Sequence, residues 1–182
     1  MKKLVLFFAF GLGFFNAKAQ NRFFTKDAKI NFNSSTPLED IVAESNQATT
    51  FLDIDKNDVV FSVLTTSFKF RRALMEEHFN ENYMESSKFP KAKFSGKIVS
   101  PIDWKSETQV TADLKGELTM HGVTKEVSLK SQITPGKGKI VANAEFKVSP
   151  EDFNIAIPAA VRDKIAKAVT IKIDVVYTPY HQ

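Results

Sequence analysis

Cysteine is absent from the chain. No disulfide can form, no thiolate can bind a metal or attack a substrate, and no lipid can be attached to a cysteine behind a leader. After residue 19 there is also no apolar run near the roughly 20 residues that a helix needs to cross a bilayer. Excess charge is lacking too, although a formal net charge of +4 and a pI of about 9.2 first suggest a nucleic-acid partner. Lys2, Lys3 and Lys18 all lie in the first 19 residues, which contain no acid. From residue 20 onward 22 basic residues face 21 acidic ones, a net +1 that is too small for a binder of the phosphate backbone. Familiar catalytic signatures are missing as well: no P-loop, no H-E-x-x-H and no G-x-S-x-G.

What is there begins with residues 1–19. Two lysines, an apolar stretch over 4–15 and the exit Ala17-Lys18-Ala19 have the layout of a secretory signal peptide. The expectation is a domain over 20–182, cut free after Ala19 and released into a periplasm or the medium, without stable membrane insertion. With 43% hydrophobic, 25% charged and 12% aromatic residues, the chain is neither disordered nor collagen-like. Twelve of the 17 Phe remain after residue 19 to build a core or line a pocket.

Period-two alternation dominates the rest and predicts strands. Residues 110–118 alternate Val110, Ala112, Leu114, Gly116 and Leu118 with polar neighbours. Residues 139–148 do so with Ile140, Ala142, Ala144, Phe146 and Val148, and 169–177 with Val169, Ile171, Ile173, Val175 and Tyr177. Further alternating runs carry Phe94 and Ile98, and Val127, Leu129 and Ile133; weaker strands are expected at 29–33, 40–44, 48–53 and 59–64. Turn chemistry at 55–58, His121-Gly122 and 135–138 joins them as antiparallel hairpins. The expected fold is therefore all-β: eight or nine antiparallel strands closed into a lipocalin-like barrel, which removes exposed edges. Two segments break the period. Residues 70–84 carry Leu74, Met75, Phe79 and Tyr83 at helical spacing, and 158–168 read as a shorter, proline-led helix.

No two of the three histidines share a metal-ligand spacing, so no metal site and no cofactor are expected. His121 fits a tight turn that requires positive φ. His78 on the helix admits two readings: a half-buried imidazole bonded to a carbonyl, or a functional group. Inside the barrel, large residues (Phe61, Phe94, Leu114, Phe146, Ile171) are mixed with small ones (Ala48, Ala112, Gly116, Ala142, Ala144). Such an interior either holds a small ligand or is a filled barrel whose small residues fit the taper.

The segment LKGELTMHGVTKEVSL at 114–129 resembles the G-x-L-T-x-x-G-V-T-K-x-V-x-L signature of the YceI-like family of polyisoprenoid-binding proteins. The likeness extends to MEEHF at 75–79, to KFPKAKF at 88–94 with Phe89, Pro90 and Phe94 matching, and to EDFNI at 151–155. It implies an exported barrel whose long apolar interior binds a polyprenyl or other long lipid chain, for sequestration or transport. With a lipid inside, the inward positions of the alternation, Phe61, Phe94, Ala112, Leu114, Gly116, Leu118, Leu129, Ala142, Ala144, Phe146, Ile171 and Ile173, would line the pocket. Arg71, Arg72 and His78 would meet a head group. Some relatives carry a glycine- and tryptophan-rich loop before the last strand; here 155–168 are proline-led and contain lysine and alanine instead. Two other classes remain beside the lipid binder: a filled barrel acting through protein contacts, and a lipid-modifying enzyme using His78. A second copy of the chain is a candidate partner.

Overall fold

The computed structural model describes residues 21–180; the leader read in 1–19 and the third histidine, His181, lie outside the described residues. The strands are β1 (Arg22–Ser35), β2 (Asp40–Asp53), β3 (Asp58–Leu64), β4 (Lys69–Phe70), β5 (Lys91–Ile98), β6 (Val110–Met120), β7 (Val123–Thr134), β8 (Ile140–Val148) and β9 (Val169–Pro179). Every pairing is antiparallel. The order β1-β9-β8-β7-β6-β5-β3-β2 is closed by β1 pairing with β2, giving an eight-stranded up-and-down barrel with β4 as an extra strand on β2.

The alternation places the core. Phe61 lies opposite Phe94, which lies opposite Leu118, and Ile98 lies opposite Leu114, so successive apolar layers cross the interior. Two weaker expectations, strands at 40–44 and 48–53, are one strand. β2 buries Ala43 and Ser45, then Ala48, Thr50 and Leu52, and this change of parity is a bulge that keeps both halves facing inward. The His121-Gly122 turn has φ of 50° and 74°, the two positive values that suit a two-residue hairpin. A Cβ on Gly122 would lie 2.6 Å from the Phe89 ring, so glycine is required there by shape as well as by φ.

The two breaks in the alternation lie at one end of the barrel. The helix expected over 70–84 is shorter: α1 spans Ala73–His78 and continues as a π-helical turn over Phe79–Tyr83. Its beginning is held in strand form because Phe70 and Lys69 pair with Ala43 and Glu44. Phe70 instead joins Phe32, Phe68 and Phe79 in a cluster with ring centroids 5.0–5.7 Å apart. The expected second helix is a 3₁₀ segment, Ala159–Lys164, behind Pro158. It cannot propagate, since the Ala166 amide is taken by the Ser34 hydroxyl at 2.8 Å and the chain turns into β9. At the opposite end, the loop between β5 and β6 lays Ile102 and Trp104 against the core.

Candidate functional site

The interior of the barrel is not filled. A cavity of about 490 Å³ runs along it, within the range of ordinary ligand pockets. Its deep end is formed by Leu52, Val59, Ile98, Ile133, Ile140 and Tyr177, and its outer end by α1 and the 159–164 segment. Toward the deep end the wall's hydroxyls are bonded to protein. The Tyr177 and Thr50 hydroxyls are 2.8 Å apart, Thr50 donates to the Val60 carbonyl at 2.9 Å, and Ser131 donates to the Asn143 carbonyl at 2.9 Å. Burial pushes the Tyr177 hydroxyl up to about 12, partly offset by its bond to Thr50. The Tyr83 hydroxyl is raised by the same cause.

Ten of the twelve proposed lining residues border this space: Phe61, Phe94, Leu114, Leu118, Leu129, Ala142, Ala144, Phe146, Ile171 and Ile173. Ala112 and Gly116 do not. Ala112 is fully buried in the core. Gly116 lies against β5, where a Cβ would overlap the Gly96 Cα and the Ser95 carbonyl. This glycine lets two backbones approach; it does not widen the cavity. Gly96 itself is covered by the Phe94 ring, whose Cζ would be 2.6 Å from a Cβ there.

The three head-group candidates separate. Arg72 and His78 border the outer end of the cavity, whereas Arg71 faces a shallow depression with Ala73, Glu76 and Glu77. Arg72 is ion-paired with Glu39, which also borders the cavity. His78 is exposed and has no side-chain hydrogen bond among the described residues, so the half-buried, carbonyl-bonded imidazole is not what forms. Among those residues no three His, Asp or Glu side chains are grouped to hold a metal.

Sequence reasoning missed the other side of the opening. Val161, Lys164 and Ile165 border the cavity across from Leu74 and Met75. The Val161–Ile165 spacing was the available signal, and it reads equally well as the apolar face of an ordinary helix. His121 also does more than fit its turn. Its Nδ1 lies 3.0 Å from the Phe153 carbonyl and its Nε2 2.9 Å from Glu85, and its ring packs edge-on against Phe89. It thereby ties the β6–β7 turn to the segments after α1 and β8, over a small second core of Met84, Phe153 and Ile155.

Comparison with known proteins gives a consistent picture. The model of the YceI-like domain matches residues 11–177. A UPF0312 protein of Pseudomonas fluorescens is 32% identical over 114 residues, covering 62% of this chain and 48% of its own; one from Pseudomonas putida is 31% identical over 116 residues, covering 59% and 57%. The chain thus spans about half the length of these curated relatives. Among solved structures, a polyisoprenoid binding domain from Saccharophagus degradans, implicated in plant cell wall breakdown, superposes with a TM-score of 0.75 at 11% identity, covering 88% of this chain and 99% of that one. BcnA of Burkholderia cenocepacia gives 0.69 at 15% identity, with 82% and 95% covered.

Proposed function

The chain belongs to the YceI-like family, and from that premise we propose that it is an exported, non-enzymatic binding protein that holds a polyisoprenoid or other long-chain lipid inside its barrel, for sequestration or for transport through an aqueous compartment. The observation that carries this reading is the 490 Å³ cavity walled by Phe61, Phe94, Leu118, Leu129, Phe146 and Ile173. A filled barrel acting through protein contacts leaves no such space. The solved relative described as a polyisoprenoid binding domain supports the ligand class, and the layout of residues 1–19 supports export.

Magnitudes favour a long chain over a small metabolite. Each buried CH₂ contributes about 0.8 kcal/mol, whereas association costs roughly 4–15 kcal/mol before net affinity appears. With the interior hydroxyls already bonded to protein, on the order of ten carbons must be buried to bind usefully. Arg72, Lys164 and His78 border the end where the polar head would rest.

The test is native mass spectrometry followed by organic extraction, on protein expressed with residues 1–19 and purified without detergent. A stoichiometric long-chain lipid is expected. Ala142→Phe, which turns a ring into the cavity, should leave a folded barrel that carries none. A bare wild-type chain that also refuses added polyprenyl lipids and fatty amides would overturn the reading.

A further inference from the structure

β7 and β8 are ladder partners over only four residue pairs, from Ser131 opposite Ala144 to Thr134 opposite Val141. All four lie in the half of the barrel away from α1. Above them β7 continues from Val123 to Lys130 paired only with β6, and β8 continues from Glu145 to Val148 paired only with β9. Another parting in the wall, where the first half of β2 leaves β3, is occupied: β4 pairs with β2 there, and the Ser67 and Ser45 hydroxyls are 2.7 Å apart. The β7–β8 parting has no inserted strand among the described residues. It is a window in the hydrogen-bond ladder, bounded below by the Ser131–Ala144 pair and above by the His121 bond to the Phe153 carbonyl.

The side chains at its edges fit a passage. Continuing the register upward would set Leu129 opposite Phe146 and Val127 opposite Val148, and all four border the cavity. On the outer face the same register would set Lys130 opposite Glu145, opposite charges that commonly bridge neighbouring strands. Each is drawn away from the window instead. Lys130 bonds Asp113 on β6 at 2.8 Å, and Glu145 pairs with Lys172 on β9 at 3.3 Å. The inner edge is apolar, and among the described residues no ion pair spans the outer edge, whose charges pair with the neighbouring strands instead.

We propose that this window is a side door through which the hydrocarbon chain of the ligand enters and leaves the cavity. The inference rests on the lipid-binding reading above and adds the route. A chain passing between Leu129 and Phe146 crosses a polar outer rim and then meets apolar side chains inward to the cavity, and the ring of strands need not open to admit it.

The lack of cysteine makes the test clean. Ser128→Cys/Lys147→Cys places two exposed thiols across the window, to be joined by a short bismaleimide with a reducible disulfide in its spacer. Gln132→Cys/Asn143→Cys, on a pair already in the ladder, is the control. Each protein is loaded with a pyrene-labelled C16 fatty amide before stapling, its loading is counted by native mass spectrometry, and transfer of the probe to phosphatidylcholine vesicles is timed. Transfer at least tenfold slower from the window-stapled protein, unchanged in the control and restored by reducing the spacer, is the expected result. Equal transfer rates with and without the window staple, from protein that is loaded and folded by circular dichroism, would overturn the door and leave the binding reading intact. Wild-type protein that takes up neither this probe nor a polyprenyl lipid would overturn the binding reading and the door with it.

Discussion

Tyr177 is a hydroxyl from the apolar face of the last strand, held against Thr50 at the deep end of the cavity. Because burial favours its neutral form, the folded state retains a proton that the unfolded chain gives up near pH 10. Its contribution is whole below pH 10 and is lost as pH rises toward 12, at about 1.4 kcal/mol per pH unit within that window. Urea midpoints followed from pH 9 to 12 should fall steeply for the wild type and less steeply for Tyr177→Phe, which cannot ionise. A residue-scale prediction of the opposite kind concerns Gly116. Gly116→Ala would drive a methyl into the β5 backbone, and a loss of about 3 kcal/mol or more in denaturant unfolding is expected. Its place in the alternation was legible from the sequence. Its purpose was not, since a small residue facing inward looks the same whether it makes room for a ligand or for a neighbouring strand. His121 shows a similar limit: positive φ could be anticipated from the His-Gly pair, but its bonds to Glu85 and Phe153 depend on segments more than 30 residues away.

At the scale of elements, the strands that alternate cleanly were legible nearly to their ends, and those with bulges were not. β2 changes parity between Ser45 and Ala48, which splits its pattern into two short runs although the strand is continuous. The segments over the open end were misjudged for a common reason: their backbone is claimed by tertiary partners. Phe70 is drawn into a strand on β2, and the Ala166 amide is bonded to Ser34. The aromatic cluster formed in this way should anchor the whole cover. Phe79 contacts Phe32, Phe68 and Phe70 at once, so Phe79→Ala should destabilise the protein toward the low end of the about 3–5 kcal/mol seen for buried Phe→Ala changes. Hydrogen exchange should show α1 loosened before the strands. Leu74 on the same helix lies at the cavity mouth, 61% exposed, and Leu74→Ala should cost less than about 0.5 kcal/mol.

The whole molecule is a ring of strands around one elongated space, and its response to ligand length should report that shape. Each added CH₂ that finds room should tighten binding about fourfold, until the cavity is full and the curve flattens. Titration with a homologous series of fatty amides would locate the break. The ring was foreseeable from strand number and alternation, but the parted β7–β8 wall was not, because Val127, Leu129, Phe146 and Val148 alternate as regularly as the paired residues below them. The closure of the ring has a further consequence, in the order of folding. Seven of its eight seams join strands that follow one another along the chain, apart from the excursion through β4 and α1; the eighth joins β1 to β9, from Asn33 opposite Thr170 to Phe23 opposite Pro179. Loop-closure entropy makes that seam the slowest to form. During synthesis, hairpins can assemble while β1 waits with one edge free, and the barrel is sealed only when β9 arrives.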